Sequence, residues 1–183
     1  MRHPWLDGVA CPLWTVLPAA VVFWWTFYYV VTPALGRLCA IENLTKLNQL
    51  CWRQNVTSLL HTLIVVTILV VVFSTDEHLR RTGIAPYYNS LAYADVCVSL
   101  GYMLFALPWS LHMRFVLGAR RPYVTGEFTL HHCCVVTAEL AYLLSTASPF
   151  YGAIPLMPME FPNRPYPPLV LLTQAGTTPG PPL

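Results

Sequence analysis

The stretch "VTSLLHTLIVVTILVVVF", residues 56–73, decides the fold. It runs for eighteen residues without a charge, and at about 1.5 Å per residue it covers most of a hydrocarbon core of roughly 30 Å. Its apolar side chains fall on every face, so no soluble surface remains for water, and the run reads as a transmembrane helix. A charged connector, "STDEHLRRTG" (74–83), follows it. Composition agrees. Hydrophobic residues make up 56% of the 183-residue chain and charged residues 10%, against roughly 25% charged in a typical soluble protein. A net charge of +2 is too small for a nucleic-acid footprint, and no basic stripe with interleaved aromatics appears, so nucleic acid is not an expected partner.

Three further spans are expected around this one. Residues 11–35, "CPLWTVLPAAVVFWWTFYYVVTPAL", carry no charge, and Pro18 is placed to kink them. A cleaved signal peptide is the rival reading there, but the apolar run exceeds the usual h-region of about 7–15 residues. Residues 92–113 and 128–147 are apolar runs carrying polar groups, which need helical neighbours to insert. From Pro149 onward ten of the seventeen prolines are concentrated, which removes helix donors and argues against a regular fifth span. The expected architecture is therefore all-α: a polytopic bundle of about four spans with an irregular Pro-rich C-terminal tail. Residues 1–46 form the first helix and a basic loop, 47–165 the bundle proper, and 166–183 a disordered tail. Arg37, Lys46, Arg53, Arg114, Arg120 and Arg121 share one side and Arg2, Arg80, Arg81 and Arg164 the other, favouring a cytosolic first loop. Sequons at Asn43 and Asn55 pull the opposite way.

Ionisable groups inside spans cost about 2.5–3.5 kcal/mol each at the helix centre and so ask for a reason. Ser58 and His61 lie at i, i+3 in the second span, with Thr57 at i, i+4 from the histidine. In the third, Asp95 and Tyr102 lie seven residues apart on one face with Ser99 between. In the fourth, His132 and Glu139 repeat that spacing, with His131 about 100° away. Turned inward, these groups line a polar cavity within the bundle. "HHCC" (131–134) does not read as a metal site, because consecutive helical residues diverge by about 100°. Cys133 and Cys134 are read as small packing residues. The six cysteines show no metal-ligand or disulfide spacing, and neither a cofactor nor a metal is expected. Hydrolase, phosphate-loop and metalloprotease motifs are absent from the sequence.

In order along the chain, "CWRQNVTSLLHTLIV" (51–65), "SLGYMLFALPW" (99–109), "YVTGEFTLHHCCVV" (123–136) and "MEFPNRP" (159–165) resemble the TLC-domain family of membrane proteins, which includes ceramide synthases and regulators of membrane lipid composition. The matching marks are Ser58 with His61, Gly101 with Tyr102, His131 with His132, and Glu160 with Asn163. Two departures stand out. Ala106 occupies the place of the family's aspartate, so a carboxylate expected near the histidines is missing unless Asp95, one turn or more away, substitutes for it, and the chain stops where the family continues through further helices, which resembles a truncated isoform.

The resemblance implies two tasks. In ceramide synthases paired membrane histidines serve acyl transfer from acyl-CoA to a long-chain base, which would make His131 or His132 a general base. Those enzymes also carry a downstream His-Asp cluster, and no His-Asp dipeptide occurs here. The expectation therefore leans away from an enzyme and toward lipid binding or sensing in membrane lipid homeostasis and fluidity. Membrane lipids are the expected partners, other membrane proteins the second class, and the endoplasmic reticulum or plasma membrane the expected place. A third reading makes the chain an interaction or cargo component of the endoplasmic reticulum.

Overall fold

The computed structural model describes residues 12–75, 77, 90–119 and 126–144, all of them in helices or short connections with no strand among them. Helix α1 (Pro12–Thr26) runs through a π-helical stretch (Phe27–Val31) into α2 (Thr32–Leu38). A 3-10 turn (Ile41–Asn43) leads to α3 (Lys46–Thr75), followed by α4 (Ser90–Leu111), a second π-helical stretch (His112–Val116) and α5 (Gly126–Leu144). Three helical runs, Trp14–Leu38, Lys46–Thr75 and Leu91–Val116, are long and apolar enough to cross a membrane. The fourth expected span forms a 19-residue helix, α5, but is not among them. Its two histidines and two glutamates lower its hydropathy.

Local chemistry explains where these helices bend and stop. Pro18 sits inside α1, yet the departure from α geometry comes later, ahead of Pro33. Proline has no N–H and clashes with the preceding turn, and the ladder there widens so that the Thr32 N–H reaches Phe27 O. The Thr32 hydroxyl then donates to the Tyr28 carbonyl at 2.6 Å. Helix α3 holds neither proline nor glycine and begins on a capped turn, where Thr45 Oγ1 accepts the Asn48 N–H at 3.3 Å. After the second π stretch Gly118 adopts a φ of 62°. This left-handed turn lets the Ala119 N–H fold back onto Met113 O at 2.9 Å.

Helix α4 is the hub, packing against α1, α3 and α5. Trp24 Nε1 donates to Val98 O at 3.1 Å and Trp109 Nε1 to the Tyr28 hydroxyl at 2.8 Å, so α1 and α4 run parallel. Gln54 meets Tyr102 while His61 meets Ser99, so α3 is antiparallel to α4. Tyr93 donates to Leu143 O at 2.9 Å and the Tyr102 ring meets His132, so α5 is antiparallel to it as well. Gly101 marks the crossing of α1 and α4. A Cβ there would lie 2.7 Å from Ala20 Cβ and 3.1 Å from the backbone of Ala20 and Val21. Small residues permit this close approach, which in a membrane supplies packing that the hydrophobic effect cannot.

Outward hydroxyls close on their own helix: Thr67, Ser74 and Thr75 donate to the carbonyls of Leu63, Val70 and Val71. That arrangement suits lipid, where a hydroxyl has no water to turn to.

Candidate functional site

The polar residues expected to turn inward do so. Thr57, Ser58, His61, Asp95, Ser99, Tyr102, His132 and Glu139 are all buried, although they come from three different helices. Periodicity places them. On α4, Asp95, Ser99 and Tyr102 fall within about 60° of one another around the axis, and on α5 His132 and Glu139 fall within about 20°. His131 is half-buried at the edge of that face.

At the centre, the His61 and Tyr102 rings stack at 4.0 Å with an interplanar angle of 13°. Such a contact contributes on the order of 0.5–1.5 kcal/mol beyond its area. His61 Nε2 lies 3.3 Å from Ser99 Oγ, and Gln54 Nε2 donates to the Tyr102 hydroxyl at 3.0 Å. Trp24 sets its edge against both rings, 5.8 Å from His61 and 5.5 Å from Tyr102. Tyr102 also links the two histidine-bearing helices, its ring 6.4 Å from that of His132.

His132 has a defined role in this geometry. Its Nδ1 lies 2.7 Å from Phe128 O. A carbonyl only accepts, so Nδ1 carries the proton and Nε2 of the neutral ring is its basic nitrogen. The His131 and His132 rings stand at 87° to each other with centroids 5.5 Å apart. Among the described residues no group of three or more His, Cys, Asp or Glu is placed to hold a metal ion.

Asp95 lies deeper in the bundle. The contacts of Tyr93 with Leu143 and of Tyr102 with His132 fix the register of α4 on α5, and between those rungs Asp95 falls within a turn of Glu139. Its Oδ1 is buried with no hydrogen-bond partner among the described residues. Asp95 and position 106 lie at different levels of α4. Ala106 is buried eleven residues further along α4, about 16 Å away along the axis.

Cys133 and Cys134 are both exposed on α5, which corrects their reading as packing residues within this chain. The inward face of α5 is taken by Val135 and Leu143 alongside His132 and Glu139. Gly101 serves the α1–α4 crossing directly above Tyr102. Glu160, Asn163 and the tail from residue 145 onward lie outside the described residues.

Two contributors went unread in the sequence. Gln54 lies four residues before Ser58 and seven before His61, so helical spacing alone could have placed it on their face. Trp24 left no such signal, because α1 is rich in aromatics on every side and only packing distinguishes the buried ring. Comparison with models of protein families, with curated proteins and with solved structures finds no match for the chain.

Proposed function

We propose that this chain is an integral membrane protein of TLC type that binds or senses lipid in the polar interior of its helical bundle. The observation that carries the reading is the buried row of Gln54, Ser58, His61, Asp95, Ser99, Tyr102, His132 and Glu139, set among helices apolar enough to cross a membrane. Placing ionisable groups there costs several kcal/mol unless they meet a partner, and polar groups inside spans generally mark a ligand or ion path. The lipid's polar part lies among these groups while its tails follow the apolar helix faces. In this reading α5 crosses the bilayer as a fourth span, shielded by its packing on α4, and the protein resides in the endoplasmic reticulum or plasma membrane.

One observation favours an alternative, acyl transfer to a long-chain base: the oriented His132 ring presents Nε2 as a general base. A lipid-extract comparison separates the two. Cells carrying His131→Ala with His132→Ala are expected to keep their ceramide and change their phospholipid saturation. Lost ceramide assigns acyl transfer instead, and unchanged lipid with correctly inserted protein rejects both readings.

A further inference from the structure

Helix α3 has 30 residues, about 45 Å of length, against roughly 30 Å of hydrocarbon. About ten residues must therefore stand outside the apolar layer. The sequence shows which end they occupy. Residues 46–55 include Lys46, Asn48, Gln49, Arg53, Gln54 and Asn55, whereas 56–73 carry no charge. Arg53 thus stands at the polar end of the charge-free run of α3, one residue from the Gln54 that contacts Tyr102.

Arg53 is half-buried, and its Nε is enclosed with no hydrogen-bond partner among the described residues. Guanidinium stays charged, and an enclosed donor left unsatisfied costs about 1–3 kcal/mol or more. Gln54 Oε1 beside it is likewise buried and unpartnered. The end of the bundle that holds them is basic. Arg37, Lys46 and Arg114 lie beyond Arg53 toward this same end, with Glu42 as the counter-charge 3.8 Å from Arg37. Leu38, Phe115 and Val116, further out at the same end, are exposed apolar side chains.

We infer that Arg53 is the phosphate-binding residue of a site for an anionic phospholipid headgroup, entered from the leaflet at the basic end of the bundle and continuous with the polar interior. The inference rests on the lipid-binding reading and names its ligand class. A phosphodiester supplies the acceptor that the enclosed Nε lacks, and a headgroup hydroxyl supplies the donor that Gln54 Oε1 lacks. A phosphatidylcholine headgroup offers neither a hydroxyl nor net negative charge.

The test is native mass spectrometry of the purified full chain in detergent, titrated with phosphatidylglycerol or phosphatidylcholine. The wild type binds phosphatidylglycerol about tenfold more tightly, the scale of the net negative charge and headgroup hydroxyl that phosphatidylcholine lacks. Arg53→Gln brings phosphatidylglycerol down to the phosphatidylcholine level, and Arg53→Lys, which keeps the charge but loses the Nε donor, falls between. Arg37→Gln leaves the preference intact. A preference that survives in either Arg53 variant at full strength, or that Arg37→Gln abolishes equally, overturns the inference in favour of diffuse surface charge. Displacement by soluble glycerol 3-phosphate at equal concentration also overturns it. Phosphatidylcholine bound without any preference refutes this site alone, whereas failure to bind either lipid refutes the lipid-binding reading itself.

Discussion

Helices α3 and α4 invert the rule of soluble proteins. The more apolar of the two, the Lys46–Thr75 run with a hydropathy of 2.6, has 28% of its most apolar window buried inside the protein, whereas Leu91–Val116, at 1.5, has 67%. In water the greasier helix would sit at the centre. In a bilayer lipid already solvates Leu and Val, so apolar residues gain nothing by turning inward and the polar face decides the position. Helix α4 carries Asp95, Ser99 and Tyr102 on one face and Gly101 at its closest crossing, and for that reason it becomes the hub.

The comparison breaks most readily at Gly101. Gly101→Ala places a Cβ 2.7 Å from Ala20 Cβ, and relieving that clash shifts α1 against α4 at a cost of about 1–3 kcal/mol. A clear drop in thermal unfolding temperature in detergent is expected, with Val22→Ala on the outer face of α1 as the silent control. A change of similar size and opposite sign is expected at Asp95. Replacing this enclosed carboxylate by leucine removes an unsatisfied polar group, so Asp95→Leu gains about 1–3 kcal/mol of stability while reducing lipid retention. Equal loss of both stability and retention would show instead that Asp95 is held by partners in the folded chain.

A smaller effect sharpens the contrast between the two helices. Tyr102→Phe keeps the 4.0 Å stack on His61 and removes the acceptor of Gln54 Nε2, costing about 1 kcal/mol, measurable by the same unfolding assay. On the exposed face of α3, Leu63→Ala removes a side chain that is 57% exposed and is expected to move stability by less than about 0.5 kcal/mol in a bilayer. A loss of 2 kcal/mol or more, the scale of a buried leucine, would mean that this face meets another helix.

Much of this arrangement was legible in the residues. The charge-free runs gave the helices, and seven-residue spacing gave the inward faces of α4 and α5, because a helix returns nearly to its starting direction after two turns. The early start of α3 at Lys46 was not legible, since residues 46–55 are too polar to read as a span and form helix through the Thr45 cap and an absence of breakers. Nor was the exposure of Cys133 and Cys134. A cysteine suits lipid and protein surroundings alike, so its type carries no direction, and only the neighbouring histidine and glutamate decide which side faces in. The pairing of Asp95 with the level of Glu139 required the register of two helices, which no single segment contains.

The central claim is that lipid enters the polar interior rather than coating the outside. Photo-crosslinking with a bifunctional phospholipid in nanodiscs, mapped by peptide mass spectrometry, tests it most directly. The account predicts adducts on Gln54, Ser58, His61 and Tyr102 that unlabelled lipid competes away. Adducts confined to outward residues such as Leu63, Val70 and Phe115, with none on that inner face, would contradict it.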